Sequence, residues 1–387
     1  MKKKIKIIIA AIIILILVAV SAGTYINISA RPIVLEFGMF AGSNWDVANA
    51  NSYVIIDKAI EQFESRYKNV KIHYYSGILK DDYSEWLSQQ VLMGKTPDVF
   101  MILSNDFNQF ASLGLLKDLT ELMENDETFD KNKYFKTTLL SGEYHGVQYA
   151  LPYETVPNLM FVNKTLLEKE GISVPGSNWT WEDLYNICKR VTKDIDGDGI
   201  LDQFGIYNYD WLDAARTNGA VLFDEDEMQI DLSDEKVVEA VKFIKMLYSL
   251  NQQQNVTQED FDSGNVVFMP LSFADYRTYK TYPYKIKKYL NFQWDCITFP
   301  AGKEGGNISE VSTLLMGISS KTAYEDLAWE FLKLLTYDEE IQMDIFRYSQ
   351  GASVLKNVTS SLEAELILQE DMEESEKVID NILLSRV

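Results

Sequence analysis

The chain has 387 residues, 47% of them hydrophobic and 12% aromatic, and a formal net charge of −22 at pH 7. This length favours two domains or one large domain, and the composition is too apolar for a disordered chain. Acidic residues outnumber basic ones, and the sequence shows no basic patch that would overrule this excess. The negative charge therefore disfavours binding to nucleic acid or to anionic membranes. The negative charge mildly favours neutral or cationic ligands. An acidic surface that only contacts solvent and says nothing about a ligand explains the charge equally well.

The N-terminal segment has the pattern of an export signal. Four lysines within residues 2–6 precede an apolar run over residues 7–22, and Val20-Ser21-Ala22 suits a cleavage site. The run is also nearly long enough to span a bilayer as a retained anchor, and no cysteine near its end could carry a lipid. We therefore expect residues 1–30 to be a signal peptide or an N-terminal membrane anchor. The exported protein then acts at the extracellular face of the cell membrane, either anchored or released.

After this segment, strands and helices alternate. Apolar patterns predict strands at residues 33–37, 70–74 and 98–102 and helices at residues 51–67 and 81–93. This β-α-β-α-β order is typical of a mainly parallel sheet covered by helices.

The rest of the chain is predicted to enter a second α/β lobe near residue 152. Thr180 is an expected N-cap with Asp183 at the third helical position, and Ser233–Leu250 has the spacing of an amphipathic helix. Consecutive helices are predicted after Tyr324. Further strands are predicted at residues 147–151, 158–162, 266–271 and 313–318. Since no flexible tether separates the lobes, the pattern suits two lobes joined by several hinge strands.

A group of aspartates in the second lobe resembles part of a calcium loop. The acidic residues at ligand positions 1, 3, 5 and 9 of an EF-hand pattern are Asp194, Asp196, Asp198 and Asp202. Position 12 is Gly205, so the bidentate carboxylate that completes such a loop is missing. Two interpretations stay open: a weak calcium site formed by the four aspartates, and an Asp/Gly-rich turn without a metal.

Catalytic motifs find little support. The two histidines, His73 and His145, belong to no nucleophile elbow and no zinc-protease motif. The two cysteines, Cys188 and Cys296, have neither zinc spacing nor a disulfide framework. Gly94-Lys95-Thr96 looks like the end of a P-loop, but the earlier glycine of that motif is missing. We therefore expect no enzymatic activity and no required cofactor, with a glycan-active acid pair as the alternative.

Aromatic residues at predicted loops and element ends stand beside polar side chains, which suits sugar recognition. Aromatic rings cover the C–H face of a pyranose, while carboxylates and amides bind its hydroxyls. Taken singly, each ring is better explained by packing, so the interpretation depends on the whole set. The five positions are Trp45, Trp86, Trp211, Tyr276 and Trp294.

Several segments follow one another in a specific order and spacing along nearly the whole chain. They are Phe63–Ile72, Gly94–Phe100, Gly114–Leu119, Leu151–Tyr153, Phe161–Leu167, Trp179–Trp181, Asp194–Gly205 and Ala328–Leu332. Together they resemble the family 1 extracellular solute-binding proteins of bacterial ABC importers, the maltodextrin-binding-protein type.

The resemblance implies an α/β fold of the type II periplasmic-binding-protein kind. Two lobes, each a mainly parallel sheet flanked by helices, enclose a ligand cleft. The implied lobes are residues 31–152 plus 272–316 for lobe 1 and residues 153–271 plus 317–387 for lobe 2. The implied crossings lie near Leu151–Thr155, Pro270–Phe273 and Met316–Ser319.

The resemblance also implies a function. A monomer captures a small-molecule ligand, a mono- or oligosaccharide, by hinge closure and delivers it to the membrane permease of an ABC importer. Two alternatives stay open: an exported glycan-active enzyme with an acid pair, and a membrane-anchored ligand sensor on the same fold.

Ligand contacts are implied from both lobes. We expect Trp45 and Trp211 to stack on the ligand, and Asp46 and Glu154 to accept hydrogen bonds from its hydroxyls. The resemblance also implies that the aspartate segment is a loop common in this family and part of the second lobe. Such a loop can bind calcium but does not require it. The complete set of predicted ligand-binding residues is Asn44, Trp45, Asp46, Asn105, Tyr153, Glu154, Trp211, Asp213, Ser272, Tyr276 and Trp294.

Overall fold

The computed structural model describes residues 32–370, apart from residues 48, 50, 52, 225–228 and 282–291. The predicted signal peptide or anchor at residues 1–30 lies outside this part, as does the chain after residue 370. In the described part, no helix combines the length and the apolar composition needed to cross a membrane.

Strands and helices alternate through most of the described chain. The strands are β1 (Ile33–Gly38), β2 (Val70–Tyr74), β3 (Val99–Ile102), β4 (Glu143–Tyr144), β5 (Val147–Gln148), β6 (Ala150–Asn163), β7 (Phe204–Ile206), β8 (Phe223–Asp224), β9 (Gln229–Ile230), β10 (Val266–Ser272), β11 (Trp294–Ile297), β12 (Val311–Ile318) and β13 (Ala352–Ser353). The helices are α1 (Val54–Arg66), α2 (Lys80–Leu92), α3 (Ser104–Ser112), α4 (Thr120–Asn125), α5 (Lys136–Leu140), α6 (Lys164–Lys169), α7 (Trp181–Val191), α8 (Trp211–Thr217), α9 (Glu235–Tyr248), α10 (Gln258–Asp262), α11 (Phe273–Thr281), α12 (Glu325–Tyr337), α13 (Glu339–Tyr348), α14 (Lys356–Thr359) and α15 (Leu362–Glu370).

The main sheet runs through both lobes. Its order is β2-β1-β3-β12-β6-β10-β7, and β11 and β13 also pair with β6. β1 is parallel to β2 and β3, and β7 is parallel to β10, as the alternation of strands and helices predicts. β12 and β10 run antiparallel to β6, so each lobe combines parallel strands with a strand of the opposite direction.

β6 is the strand that both lobes share. Its first part pairs with β12 up to Pro157, opposite Val311, and its second part pairs with β10 from Asn158, opposite Ser272. The chain therefore crosses between the lobes where this partner changes. Nearly all of its 14 residues are buried, so no polar alternation marks the strand, and the sequence predicted two short strands instead.

Helices from the C-terminal part of the chain cover the first lobe. α12 packs on β12 and β6, and α13 packs on α1. Phe331 of α12 meets Phe37 of β1 and Phe63 of α1 edge-on, with ring centroids 5.5 and 5.2 Å apart. These aromatic contacts join the last helices to the first elements of the chain in one core.

The second lobe has its own core on the opposite face of its strands. α7 begins as predicted, because Thr180 and Asp183 form a reciprocal capping box at its N-terminus. Trp181 then stacks on Phe243 of α9 with ring centroids 4.4 Å apart. This packing holds α7 and α9 together and supports α8, which α9 contacts.

The strand pairing differs from the implied lobe boundaries in two places. β11, in the stretch assigned to lobe 1, pairs with the second part of β6, where Trp294 lies opposite Asn163. α12 and α13, in the stretch assigned to lobe 2, pack in the first lobe. The physical reason is that β12 pairs with β3 as far as Ile318, opposite Val99, so the chain after β12 continues in the first lobe.

Candidate functional site

A small polar cavity lies at the carboxyl ends of β1 and β3. Its volume is about 30 Å³, and its walls come from the loop after β1, the end of β3, β6, β12 and the turn after α13. Ligands of open α/β sheets bind outside the carboxyl ends of the strands, so the position is that of a ligand site. The polar residues of its lining are Ser43, Asn44, Asn49, Asn51, Glu154 and Ser349.

Glu154 of β6 is the buried carboxylate of this cavity. Its Oε1 accepts hydrogen bonds from the Ser349 hydroxyl and, at 2.8 Å, from the Gly351 N–H. Burial raises the pKa of Glu154, and these donors together with the positive charge of Arg277 oppose that rise. The carboxylate is thus held by the turn after α13, from a part of the chain distant in sequence. Tyr153, the preceding residue, is also buried and lines the same cavity.

The half-buried ring of Trp45 packs against the core of the first lobe. Its indole Nε1–H lies close enough to Glu154 to lower the pKa of that carboxyl, but it reaches hydrogen-bond geometry with none of the described residues. The buried Oε1 of Gln350, next to Ser349, also has no partner in the described part of the chain. A donor and an acceptor therefore remain unsatisfied around Glu154 and Ser349, and burial without partners makes both costly.

Lys80 braces the loop after β1. Its Nζ donates to the Asn44 carbonyl and to the Asp46 carboxylate, each at 2.7 Å. The Asp46 backbone is left-handed, with φ of 58°, and its side chain is 81% exposed. The carboxylate predicted to accept ligand hydroxyls is therefore directed at Lys80 and at solvent.

The second lobe contributes Trp211 and Asp213, both in the first turn of α8. Asp210 caps this helix by accepting hydrogen bonds from the N–H groups of Leu212 and Asp213. Trp211 is 38% exposed. Burial raises the pKa of Asp213 to about 6, with further increases from the charges of Asp210 and Glu310 and an opposing effect of Arg216.

An ion pair places this helix beside the crossing strands. The Arg216 guanidinium lies 2.8 Å from the Glu310 carboxylate and 3.9 Å from that of Asp213. Glu310 directly precedes β12, and its carbonyl accepts a hydrogen bond from the Asn158 N–H, at the partner change in β6. The second-lobe half of the predicted site thus follows the carboxyl end of β7 and borders the crossing.

Three other predicted residues serve contacts within the structure. Trp294 stacks on Phe161 with ring centroids 4.9 Å apart, and the fully buried Tyr276 meets Trp294 edge-on at 5.2 Å. The Ser272 hydroxyl donates to Asp275 at 2.6 Å, at the start of α11. Asn105 is exposed on α3. The described lining of the cavity contains none of these predicted residues.

The aspartate loop folds around its own carboxylates. The residues whose carboxylate oxygens lie within 4.8 Å of one another are Asp194, Asp196 and Asp202. Hydrogen bonds from the N–H groups of Gly199 and Gly197, at 2.8 and 2.6 Å, lower the pKa of Asp194. Asp198, the fourth predicted ligand, lies outside this group. Clustered carboxylate oxygens are the donor type that calcium prefers.

Some lining residues were missed in the sequence. Asn49 and Asn51 belong to the same Asn-rich loop as Asn44, so a search of the whole loop after β1 would have included them. Ser349, also in the lining, and Gly351, which binds Glu154, carry no local signal, because only the long-range packing of α13 brings them to Glu154.

The shared strand β6 and the two hydrophobic cores define a two-lobed α/β fold. Residues 48–341 match the model of the bacterial extracellular solute-binding protein family. The chain belongs to this family, and the suspected membership is confirmed.

Solved structures with this fold include sugar-binding proteins of bacteria. The sugar-binding protein MalE from Xanthomonas citri matches with a TM-score of 0.71 and 15% identity, over 88% of this chain and 85% of that chain. The ABC substrate-binding protein Lmo0181 from Listeria monocytogenes, solved with cycloalternan, matches with a TM-score of 0.62 and 19% identity, over 92% and 86%. At these identities the likeness establishes the two-lobed fold.

A relative in sequence is an uncharacterized lipoprotein from the oleD 5′ region of Streptomyces antibioticus. It is 23% identical over 350 residues, which cover 84% of this chain and 71% of the relative.

Proposed function

We propose that the protein captures a mono- or oligosaccharide between its lobes and delivers it to the permease of an ABC importer. The observation that carries this proposal is the buried Glu154 carboxylate in the wall of the cavity at the carboxyl ends of β1 and β3. Two further buried groups, Trp45 Nε1 and Gln350 Oε1, have no hydrogen-bond partner among the described residues. A sugar hydroxyl both donates and accepts a hydrogen bond, so it can satisfy groups of both kinds. The exposed ring of Trp211, beside the crossing, adds a face for a pyranose.

The names of solved relatives support a sugar rather than another solute. One was solved with cycloalternan, and the GacH receptor of Streptomyces glaucescens was solved in complex with acarbose. A third is a cyclic alpha-maltosyl-1,6-maltose binding protein from Arthrobacter globiformis. We carry over the ligand class, a carbohydrate, and leave its length to experiment.

We further propose that the protein works as an exported monomer without catalysis. Its family consists of extracellular solute-binding proteins, which supports export, and the pattern of residues 1–30 supports a signal peptide or anchor. The His73 ring contacts the Glu36 carboxylate at 2.7 Å on the exposed side of β1 and β2, and His145 occupies the turn between β4 and β5. Neither position offers the cavity a general base.

A thermal-shift screen of the exported protein tests the proposal. Mono- and oligosaccharides are compared with amino acids and polyamines, and each solution is then analysed for breakdown products. A ligand at a hundredfold excess over its dissociation constant adds about 2.7 kcal/mol of stability. A shift with one sugar class and no products supports the proposal. A shift with another solute class alone overturns the carbohydrate assignment, and sugar breakdown overturns the non-enzymatic one.

A further inference from the structure

The helix α11 lies between the strands β6 and β10 and the end of α13. It starts directly after β10, the strand that pairs with the second part of β6, and it packs on both strands. Its buried Phe273 and Tyr276 stack on each other at 5.9 Å, and Tyr276 meets Phe161 of β6 edge-on. A further buried residue of this helix, Arg277, donates hydrogen bonds to the end of α13.

Arg277 binds the carbonyl groups at the end of α13. Its guanidinium donates to the carbonyls of Phe346 at 2.5 Å, Ser349 at 2.7 Å and Gly351 at 3.2 Å. The last carbonyls of a helix lack partners within the helix and carry partial negative charge, so a buried guanidinium with several donors suits them. A side chain of α11 thus fixes the turn that follows α13.

The same turn holds the carboxylate of the cavity. The Ser349 hydroxyl and the Gly351 N–H bind Glu154, while the carbonyls of these two residues bind Arg277. The positive charge of Arg277 also favours the ionised form of Glu154. The turn is therefore held between a buried cation, which its carbonyls bind, and a buried carboxylate, which its hydroxyl and N–H groups bind.

The turn at residues 349–351 is closely packed against Glu154. A Cβ atom at Gly351 would lie 2.3 Å from Glu154 Oε1, so any other residue at position 351 would displace the carboxylate. Since the cavity lining includes both Glu154 and Ser349, a shift of the turn changes the polar groups that a ligand meets.

We propose that Arg277 is a positioning residue for solute capture, which anchors the turn at residues 349–351 to α11 and thereby sets the place of Glu154 in the cavity. This inference rests on the proposed function, since it assigns Arg277 a part in capture.

The test compares two substitutions that each remove a cation, the buried Arg277 or the half-buried Lys333. Arg277→Met removes the proposed link, and Lys333→Met removes the ion pair with Asp126 (2.5 Å) within the first lobe. Both lose charge–dipole or charge–charge contacts, so both are expected to lower the melting temperature. The first readout needs no ligand: amide hydrogen exchange at Gly351 should accelerate about tenfold in Arg277→Met and stay near the wild-type rate in Lys333→Met.

The second readout is the affinity for maltose in the wild-type protein and both variants. Arg277→Met should weaken it about tenfold, a usual size for coupling between sites, while Lys333→Met leaves it unchanged. Equal changes in the two variants, or unchanged exchange at Gly351 in Arg277→Met, would overturn the proposal. If the wild type does not bind maltose, hydrogen exchange alone decides the inference, and the thermal-shift screen of sugars decides the proposed function.

A lysine variant covers the case in which Arg277→Met does not fold. A single ammonium cannot match the fork of the guanidinium, so Arg277→Lys should still accelerate exchange at Gly351. Wild-type exchange at Gly351 in that variant would contradict the assigned role.

Discussion

The two halves of the candidate site are built differently. In the first lobe, Glu154 and Tyr153 are buried, and Glu154 is held by hydrogen bonds to the turn after α13. In the second lobe, Trp211 stands partly exposed in the first turn of α8, with its neighbour Asp213 raised in pKa by burial. Changes in the first half should act mainly on folding, because its polar groups are part of the core. Substitutions in the second half should act mainly on ligand affinity or on the pH dependence of stability.

The largest effect is expected at Gly351, in the first half. Gly351→Ala places a methyl group 2.3 Å from Glu154 Oε1, so the buried carboxylate loses its hydrogen bonds or the turn moves. We expect a loss of about 3–4 kcal/mol in the free energy of unfolding, measured by urea denaturation. Gly176→Ala is the matched control, because a Cβ there meets no atom within 4 Å. Equal stability of the two variants would show that the first half is not rigid.

The next effect concerns Asp213 and pH. Because the folded pKa is raised from 3.8 to about 6, the folded state favours the protonated acid, and the stability from this group is lost as pH rises from about 4 to 6. The loss amounts to about 2–3 kcal/mol. Asp213→Asn cannot ionise, so the wild type should lose this amount relative to the variant between pH 4 and pH 6.5. Urea unfolding at several pH values measures the difference, and a constant difference would place Asp213 in contact with water.

A smaller effect is expected at Trp211, and it should fall on affinity. Trp211→Ala should weaken binding of the sugar found in the screen about tenfold, since a stacked ring contributes roughly 1–1.5 kcal/mol. The melting temperature should change little, because the ring is 38% exposed. Tyr324→Ala, which removes an equally exposed ring at the start of α12, is the control and should leave affinity unchanged. An unchanged affinity in Trp211→Ala would remove α8 from the binding site.

Local patterns predicted much of the fold. The helix that Thr180 caps, the parallel arrangement of β1, β2 and β3, and the amphipathic α9 all depend on residues near one another in sequence. β6 was predicted only as two pieces, because a strand buried along its whole length shows no alternation. The lobe in which α12 and α13 pack depends on the lobe to which β12 belongs. The pairing of β12 with β3, which is distant in sequence, decides this.

The candidate site divides in the same way. Asn44, Tyr153 and Glu154 were named on the resemblance of local segments, and they line the cavity, while their role in ligand binding stays a prediction. Ser349, Gly351 and Arg277 were not named, since their roles arise only where α13 meets β6 and α11. Among the predicted aromatics, Tyr276 and Trp294 pack on each other, because burial of aromatic area competes with any role as a ligand platform.

The smallest effect is expected at the aspartate loop, which lies outside both halves of the site. We predict that calcium binds the carboxylates of Asp194, Asp196 and Asp202 weakly, as three clustered oxygen donors allow. Saturating calcium should then add about 1 kcal/mol and raise the melting temperature by about 2 °C relative to protein in EGTA. Asp202→Asn should abolish this increase, while Asp198→Asn should keep it, because Asp198 lies outside the group. If calcium leaves the wild-type melting temperature unchanged, the loop is a turn held by its own hydrogen bonds. If the two variants behave alike, the metal ligands are not the three residues that the fold brings together.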